Sequence, residues 1–231
     1  MVTRRTPGIE ALVEHQAARW DLARHTGRTD ASAGPEPCLA FSRLPHASGD
    51  TVAERVATLL DYGLFGSVAL GEIARQHGIH ESLVAGLDER MRGVIDRYMA
   101  DVFSRHGRTG DEYFREMMRI VSTIGQRGRA VLVGRGAPFI LSPEHTLRVL
   151  VVASREAREQ RCASESGIPL DQARAQLAES DRQRREYLNF YFRIPQDDLC
   201  FYDLVVNTDR LGIDEAAHVV AEAFRRRFPP V

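Results

Sequence analysis

Apolar residues along this chain follow two patterns: short unbroken runs, and positions three or four apart. Cys38-Leu-Ala-Phe-Ser42, Ala130-Val-Leu-Val133, Leu147 to Ala153 and Tyr202 to Asn207 are of the first kind and predict buried strands. Val52, Val56, Leu59 and Leu60 are of the second kind, and they predict a helix over Thr51 to Tyr62 that Asp50 caps. Helical spacing also predicts helices over 111–126, over Ser154 to Ser166, over Leu170 to about Phe192 and over Ile213 to Phe228. Residues 68–105 read as helical with breaks at Gly78, Gly86 and Gly93. Continuous apolar strands alternating with helices predict a parallel sheet covered on both faces.

The N-terminal part stands apart. Ile9, Leu12, Val13, Gln16, Ala17 and Trp20 have helical spacing and predict an amphipathic helix within 1–25. Residues 26–37 are rich in turn formers and nearly free of large apolar side chains, so they read as a linker. The globular domain is then 38–231. Leu12 and Trp20 give the N-terminal helix a docking face, either for this domain or for a second copy of the chain.

Composition narrows the class. The chain has 231 residues, 43% hydrophobic and 27% charged, with a formal net charge of −1. That length suits one domain, and the charge gives no general pull toward nucleic acid or an anionic membrane. No stretch approaches the roughly 18–20 apolar residues of a membrane helix. The N-terminus shows no apolar signal-peptide core, and three widely spaced cysteines fit neither a disulfide framework nor a zinc knuckle. The cytoplasm is the expected location. All 31 basic residues are arginine, so lysine chemistry is excluded and any grip on phosphate is made by Arg and backbone.

In an open parallel sheet, ligands bind at the carboxyl ends of the strands. The first such end is the stretch from Ser42 to Thr51, where Arg43, Ser48, Gly49, Asp50 and Thr51 lead into a helix N-terminus. Small residues there let backbone N–H groups face an anion, although the full GxxxxGK[ST] pattern is absent and an ordinary turn accounts for the same residues. The second end is Gly134-Arg135-Gly136, where glycines permit close approach and the Arg135 fork suits a phosphate or carboxylate. A third feature is the Arg-rich helix with Arg174, Asp181, Arg182, Arg184 and Arg185. Arg155, Arg158 and Arg161 have i, i+3 spacing and face Glu156 and Glu159 as partners. Positioned positive charge around a phosphate loop is what phosphoryl transfer requires.

Ser42-Arg43, Val133-Gly-Arg-Gly136, Val152 to Arg158, Asp181-Arg-Gln-Arg184 with Tyr187, and Tyr202 to Thr208 follow one another in an order that resembles the cytidylate kinase-like proteins. The resemblance spans 38–228. It implies an α/β, P-loop kinase-like three-layer domain with a central parallel sheet, a helical insert at about 64–127 and an Arg-rich lid at about 170–196. It implies ATP-dependent phosphorylation of CMP or dCMP, with Mg²⁺. By resemblance residues 46–51 cradle the donor phosphates, Arg135 holds the acceptor, Arg182 and Arg184 belong to the lid over the transferring phosphoryl, and Asn207 and Thr208 lie near the adenine.

Two departures stand at functional positions. The family's phosphate loop reads like Gly-Ser-Gly-Gly-Arg, and here the stretch is His46-Ala-Ser-Gly-Asp50. Asp50 puts negative charge where triphosphate oxygens belong. Further on, Phe65 keeps the family's aromatic, but Gly66 replaces its Asp. A nucleotide-binding or regulatory protein with little transfer activity is therefore the alternative. A third reading, a helix-turn-helix over 70–87, lacks the basic recognition helix that DNA requires.

Overall fold

The computed structural model describes Ala18 and residues 36–73, 112–194 and 198–229. The expectations for the N-terminal helix, for most of the linker and for the helix-turn-helix beyond residue 73 lie outside these.

Five strands form one parallel sheet: β1 Cys38–Arg43, β2 Gly63–Phe65, β3 Ala130–Val133, β4 Thr146–Val152 and β5 Leu204–Asn207. Their spatial order is β2-β3-β1-β4-β5, so β1 lies at the centre, with Leu39 opposite both Val131 and Leu147. The helices are α1 Gly49–Leu60, α2 Ser67–Ile73, α3 Glu112–Arg127, α4 Ala137–Ile140, α5 Arg155–Ser166, α6 Leu170–Phe192, α7 Thr208–Leu211 and α8 Ile213–Arg227. The domain is an α/β, P-loop kinase-like fold.

Side-chain alternation along β1 explains the three layers. Cys38 and Ala40 face one apolar cluster, which holds Phe65, Phe114, Met118, Leu132 and Phe192. Leu39 and Phe41 face the other, with Val52, Val56, Val149, Val220 and Phe224. Helices α1 and α8 cover this second face. Helix α3 and the aromatic end of α6 cover the first, where Phe114 stacks on Tyr191 and meets Phe192 edge-on.

Most of the predicted elements lie within two residues of their expected limits. The short helices α4 and α7 and the edge strand β2 were not expected, because three or four residues carry no periodicity. Gly63–Phe65 is part of the sheet, and helix α2 begins at Ser67. Two local expectations are corrected. The N-cap of α1 is Ser48, in left-handed backbone and with no side-chain capping bond, so Asp50 lies inside the first turn and does not cap. Arg158 and Arg161 pair across to Asp181 and Asp209; only Arg155 pairs along its own helix, with Glu159.

Candidate functional site

The carboxyl ends of β1 and β3 open into a cleft of about 580 Å³. Arg43, Ser48, Gly49, Asp50, Thr51, Gly134, Arg135, Gly136 and Arg184 all line it. Arg182 does not. It is half exposed on the outer side of α6 and is held there by Glu179 and Glu186, whose hydrogen bonds push its pKa up further.

The loop from β1 to α1 is shaped by backbone. His46 and Ser48 both have φ near 57°, and the Ala47 N–H closes a turn on the Leu44 carbonyl at 3.1 Å. Neighbouring side chains fix the loop in place. Arg158 Nη1 donates to the Pro45 carbonyl at 3.5 Å, Arg161 Nη1 to the His46 carbonyl at 3.3 Å, and the Thr208 hydroxyl to the Ala47 carbonyl at 3.1 Å. Thr208 therefore builds the cleft from behind and does not line it. Gly49 is needed for space, since a Cβ there would overlap the Arg43 Cβ.

Arg43 leaves the end of β1 and crosses the cleft floor. Its Nε donates to Asp50 Oδ2 at 2.9 Å and its Nη2 to Ser67 Oγ at 3.4 Å. Gly134 gives its guanidinium room: a Cβ there would sit 2.5 Å from Nη1. The turn after β3 has three successive positive φ values, at Gly134, Arg135 and Gly136. This arrangement sends Arg135 toward the insert, where its Nε donates to the Ser67 carbonyl at 3.2 Å. Ser67 thus ties both arginines to the start of α2. At Gly136 a Cβ would overlap the Phe192 ring, which seats the end of α6 against this turn.

Arg184 reaches the cleft from α6. Its Nη2 donates to Ser42 Oγ at 2.9 Å, while its Nη1 is buried with no partner among the described residues. Burial lowers the Arg184 pKa below the ordinary arginine value, and the nearby Arg43 charge acts the same way; Tyr202 and Asp181 oppose them. Burial likewise raises Tyr187, with Arg135 acting in the opposite direction. Neither Arg135 nor Arg184 forms an ion pair among the described residues. Two guanidinium groups without a carboxylate, one carrying an unpaired buried N–H, have the chemistry to bind an anion.

Sequence reasoning missed Glu165, Ser67 and the cleft role of Tyr187. Glu165 closes the His46 wall by a hydrogen bond of 2.7 Å between Nδ1 and Oε2. No sequence signal joins residues 119 apart without the fold. Among the described residues no group of three His, Cys, Asp or Glu side chains is placed to hold a metal ion, and no helix is long and apolar enough to cross a membrane.

A parallel sheet with a phosphate-loop-like turn and an arginine-lined cleft defines a class, the P-loop kinase-like proteins. Residues 38–210 match the cytidylate kinase-like family, and the chain belongs to it. It is 32% identical to the cytidylate kinase of Thermococcus sibiricus, over 59% of this chain and 74% of that protein. It is 29% identical to that of Pyrococcus horikoshii, over 66% and 78%, and 27% identical to that of Pyrobaculum calidifontis, over 78% and 89%. Among solved structures, an uncharacterized protein from Eubacterium ventriosum has the same fold, with a TM-score of 0.56 at 18% identity, covering 81% of this chain and 98% of that one.

Proposed function

We propose that this protein is a nucleoside monophosphate kinase that transfers the γ-phosphoryl group of ATP to CMP or dCMP. The bond between the γ-phosphorus and the ADP oxygen breaks, a bond to an α-phosphate oxygen of the acceptor forms, and ADP and CDP or dCDP leave. The observation that carries this reading is the pair of guanidinium groups without carboxylate partners, Arg135 and Arg184, facing one cleft from two sides. Positioned donors of this kind stabilise the charge on transferring phosphoryl oxygens.

In this arrangement Arg135 holds the acceptor, on the side of Ser67 and Gly71. The 46–51 loop and the N-terminus of α1 take the donor phosphates. Arg184 ties the lid helix to Ser42 at the end of β1 and lies between the two. Mg²⁺ neutralises phosphate charge when bound. The oxygen donors of the first turn of α1 suit that ion, which keeps several waters and few protein ligands. The Thr51 hydroxyl and the donor phosphates would hold it while Asp50 stays on Arg43.

One observation favours a second reading. The Asp50 carboxylate lies on Arg43 inside the phosphate loop, so one cation of the site already has an anion. A nucleotide-binding protein with little transfer activity follows if that pair persists. A coupled assay with Mg-ATP and each of CMP, dCMP, UMP and AMP tests both. Turnover with CMP or dCMP alone supports the kinase. Acceptor binding with no turnover supports the second reading, and no binding of either nucleotide overturns both.

A further inference from the structure

The loop that would take the donor phosphates has no lysine available and has its arginine, Arg43, committed to Asp50 at 2.9 Å. A different side chain on the same loop is arranged as a cation donor. His46 stands in left-handed backbone with φ 57°, a conformation that His tolerates better than most residues. Its ring is mostly buried, with 19% of the side chain exposed, and its Nδ1 lies 2.7 Å from Glu165 Oε2 at the end of α5. Both residues line the cleft. With Nδ1 held by the carboxylate, Nε2 is the ring's remaining polar atom, and it has no partner among the described residues.

We propose that His46, oriented by Glu165, is a direct ligand of the donor phosphates and supplies as imidazolium the positive charge that this loop otherwise lacks. The inference rests on the donor-site reading of the 46–51 loop. An imidazolium donates from both nitrogens, so one ring joins the Glu165 carboxylate to a phosphate oxygen by two charge-assisted hydrogen bonds. The proton comes from solvent when the nucleotide binds. Glu165 is a positioning residue: it fixes the ring and stabilises its charge.

The surrounding charges leave this pairing intact. From α5, Arg161 spends its guanidinium on the His46 carbonyl and on Asp209 of α7, and Arg158 on Asp181 of α6. From α1, Asp50 is occupied by Arg43, and Arg184 of α6 donates Nη2 to Ser42 and forms no ion pair with Glu165. Among the described residues, Glu165 is the one carboxylate within ion-pair distance of the ring.

Imidazole changes charge between about pH 5 and 8. A ligand that binds the protonated ring gains affinity as pH falls through that window, and binding takes up a proton. The experiment is calorimetric titration with Mg-ATP at pH 6 and pH 8, in two buffers of different ionisation enthalpy. It uses the full chain, His46→Asn and Glu165→Gln. Asn is chosen because it tolerates the left-handed backbone. The nucleotide's own titration is common to all three proteins and cancels in their ratios. His46→Asn should bind about tenfold more weakly than the unmodified protein at pH 6, match it closely at pH 8, and lose the buffer-dependent proton uptake. Glu165→Gln, whose amide oxygen can still accept from Nδ1 but carries no charge, should weaken Mg-ATP binding at pH 6 by less than His46→Asn does. Unmodified protein that binds no Mg-ATP at either pH overturns the donor-site reading and the His46 assignment with it. Binding whose affinity and proton uptake are the same in His46→Asn overturns the His46 assignment alone.

Discussion

Replacing Asp50 by Asn removes one negative charge from the phosphate loop and keeps the side chain's shape. The carboxylate lies 2.9 Å from Arg43 Nε and is 64% exposed. An exposed pair of this kind contributes about 0–1 kcal/mol, and an acidic residue in a first helical turn about 0.3–1 kcal/mol. Asp50→Asn should therefore lose at most about 2 kcal/mol of folding stability. Binding should move the other way. A unit charge about 4 Å from a like charge raises the energy by about 1 kcal/mol in water-like surroundings and about 4 kcal/mol at an effective dielectric of 20. The exposure of Asp50 favours the lower figure, and the substitution also frees Arg43 Nε for a phosphate oxygen. Mg-ATP should bind about fivefold to tenfold tighter to the variant. Calorimetry and thermal melting on the same samples, at one fixed salt concentration, give both signs together. Weaker Mg-ATP binding by Asp50→Asn would make Asp50 a magnesium ligand and refute the reasoning. So would micromolar binding by the unmodified protein that the substitution leaves unchanged.

Three further outcomes are expected. Arg135→Ala should weaken CMP binding by about 1–3 kcal/mol, the range for a lost charged hydrogen bond; an unchanged calorimetric affinity sinks the acceptor assignment. Gly136→Ala combines a positive φ of 77° with a Cβ that meets the Phe192 ring, and should cost on the order of 2–4 kcal/mol in a denaturant melt; a cost under about 1 kcal/mol means that α6 is not seated on this turn. Burial alone would raise the Asp203 pKa, but hydrogen bonds from Arg148 and the Arg227 charge hold it below the ordinary carboxylate value. Its stabilisation is present above about pH 4 and fades as pH falls below that, so Asp203→Asn should lower the melting temperature at pH 7 and converge with the unmodified protein near pH 2–3; a gap that persists there refutes this assignment of cause.

The layers were legible because apolar runs such as Ala130–Val133 are buried on both faces, and a run with that property suits a parallel strand. The ends of α5 were legible from local chemistry. Ser154 caps its first turn by accepting from the Ala157 N–H at 3.2 Å, and Gly167 ends it in left-handed backbone. Arg135 could be singled out because its two glycines follow a strand directly. The divergence of Arg182 and Arg184 was not legible at that level. Two residues apart on a helix, they point about 200° around the axis from each other, and only packing decides which one enters the cleft. The helix packs through Leu188 and Phe192, which turns Arg184 inward and leaves Arg182 to its neighbours Glu179 and Glu186. Pairs such as His46 with Glu165, or Arg158 with Asp181, need the tertiary fold and leave no mark in spacing.

Backbone conformation bears on what the loop is for. Six non-glycine residues among those described have positive φ: His46, Ser48, Asp61, Arg129, Arg135 and Arg193. Asp61 and Arg193 end helices, and Arg129 follows Gly128 in the turn before β3; the other three line one cleft. Left-handed backbone costs a residue with a Cβ roughly 1–2 kcal/mol, so His46, Ser48 and Arg135 together store about 3–6 kcal/mol that glycine would relieve. The surrounding structure holds them there through the carbonyls of Pro45, Ala47, His46 and Ser67. A turn that only joined β1 to α1 would need none of this. Strain held by many contacts and confined to one cleft points to a site whose shape is used. The family's glycines reach such a loop freely, whereas this chain reaches it against a cost and gains side chains on the cleft wall. On the donor-site reading proposed above, the positions that lose the glycines put His46 on the cleft wall, which favours a rebuilt anion site over a vestigial one.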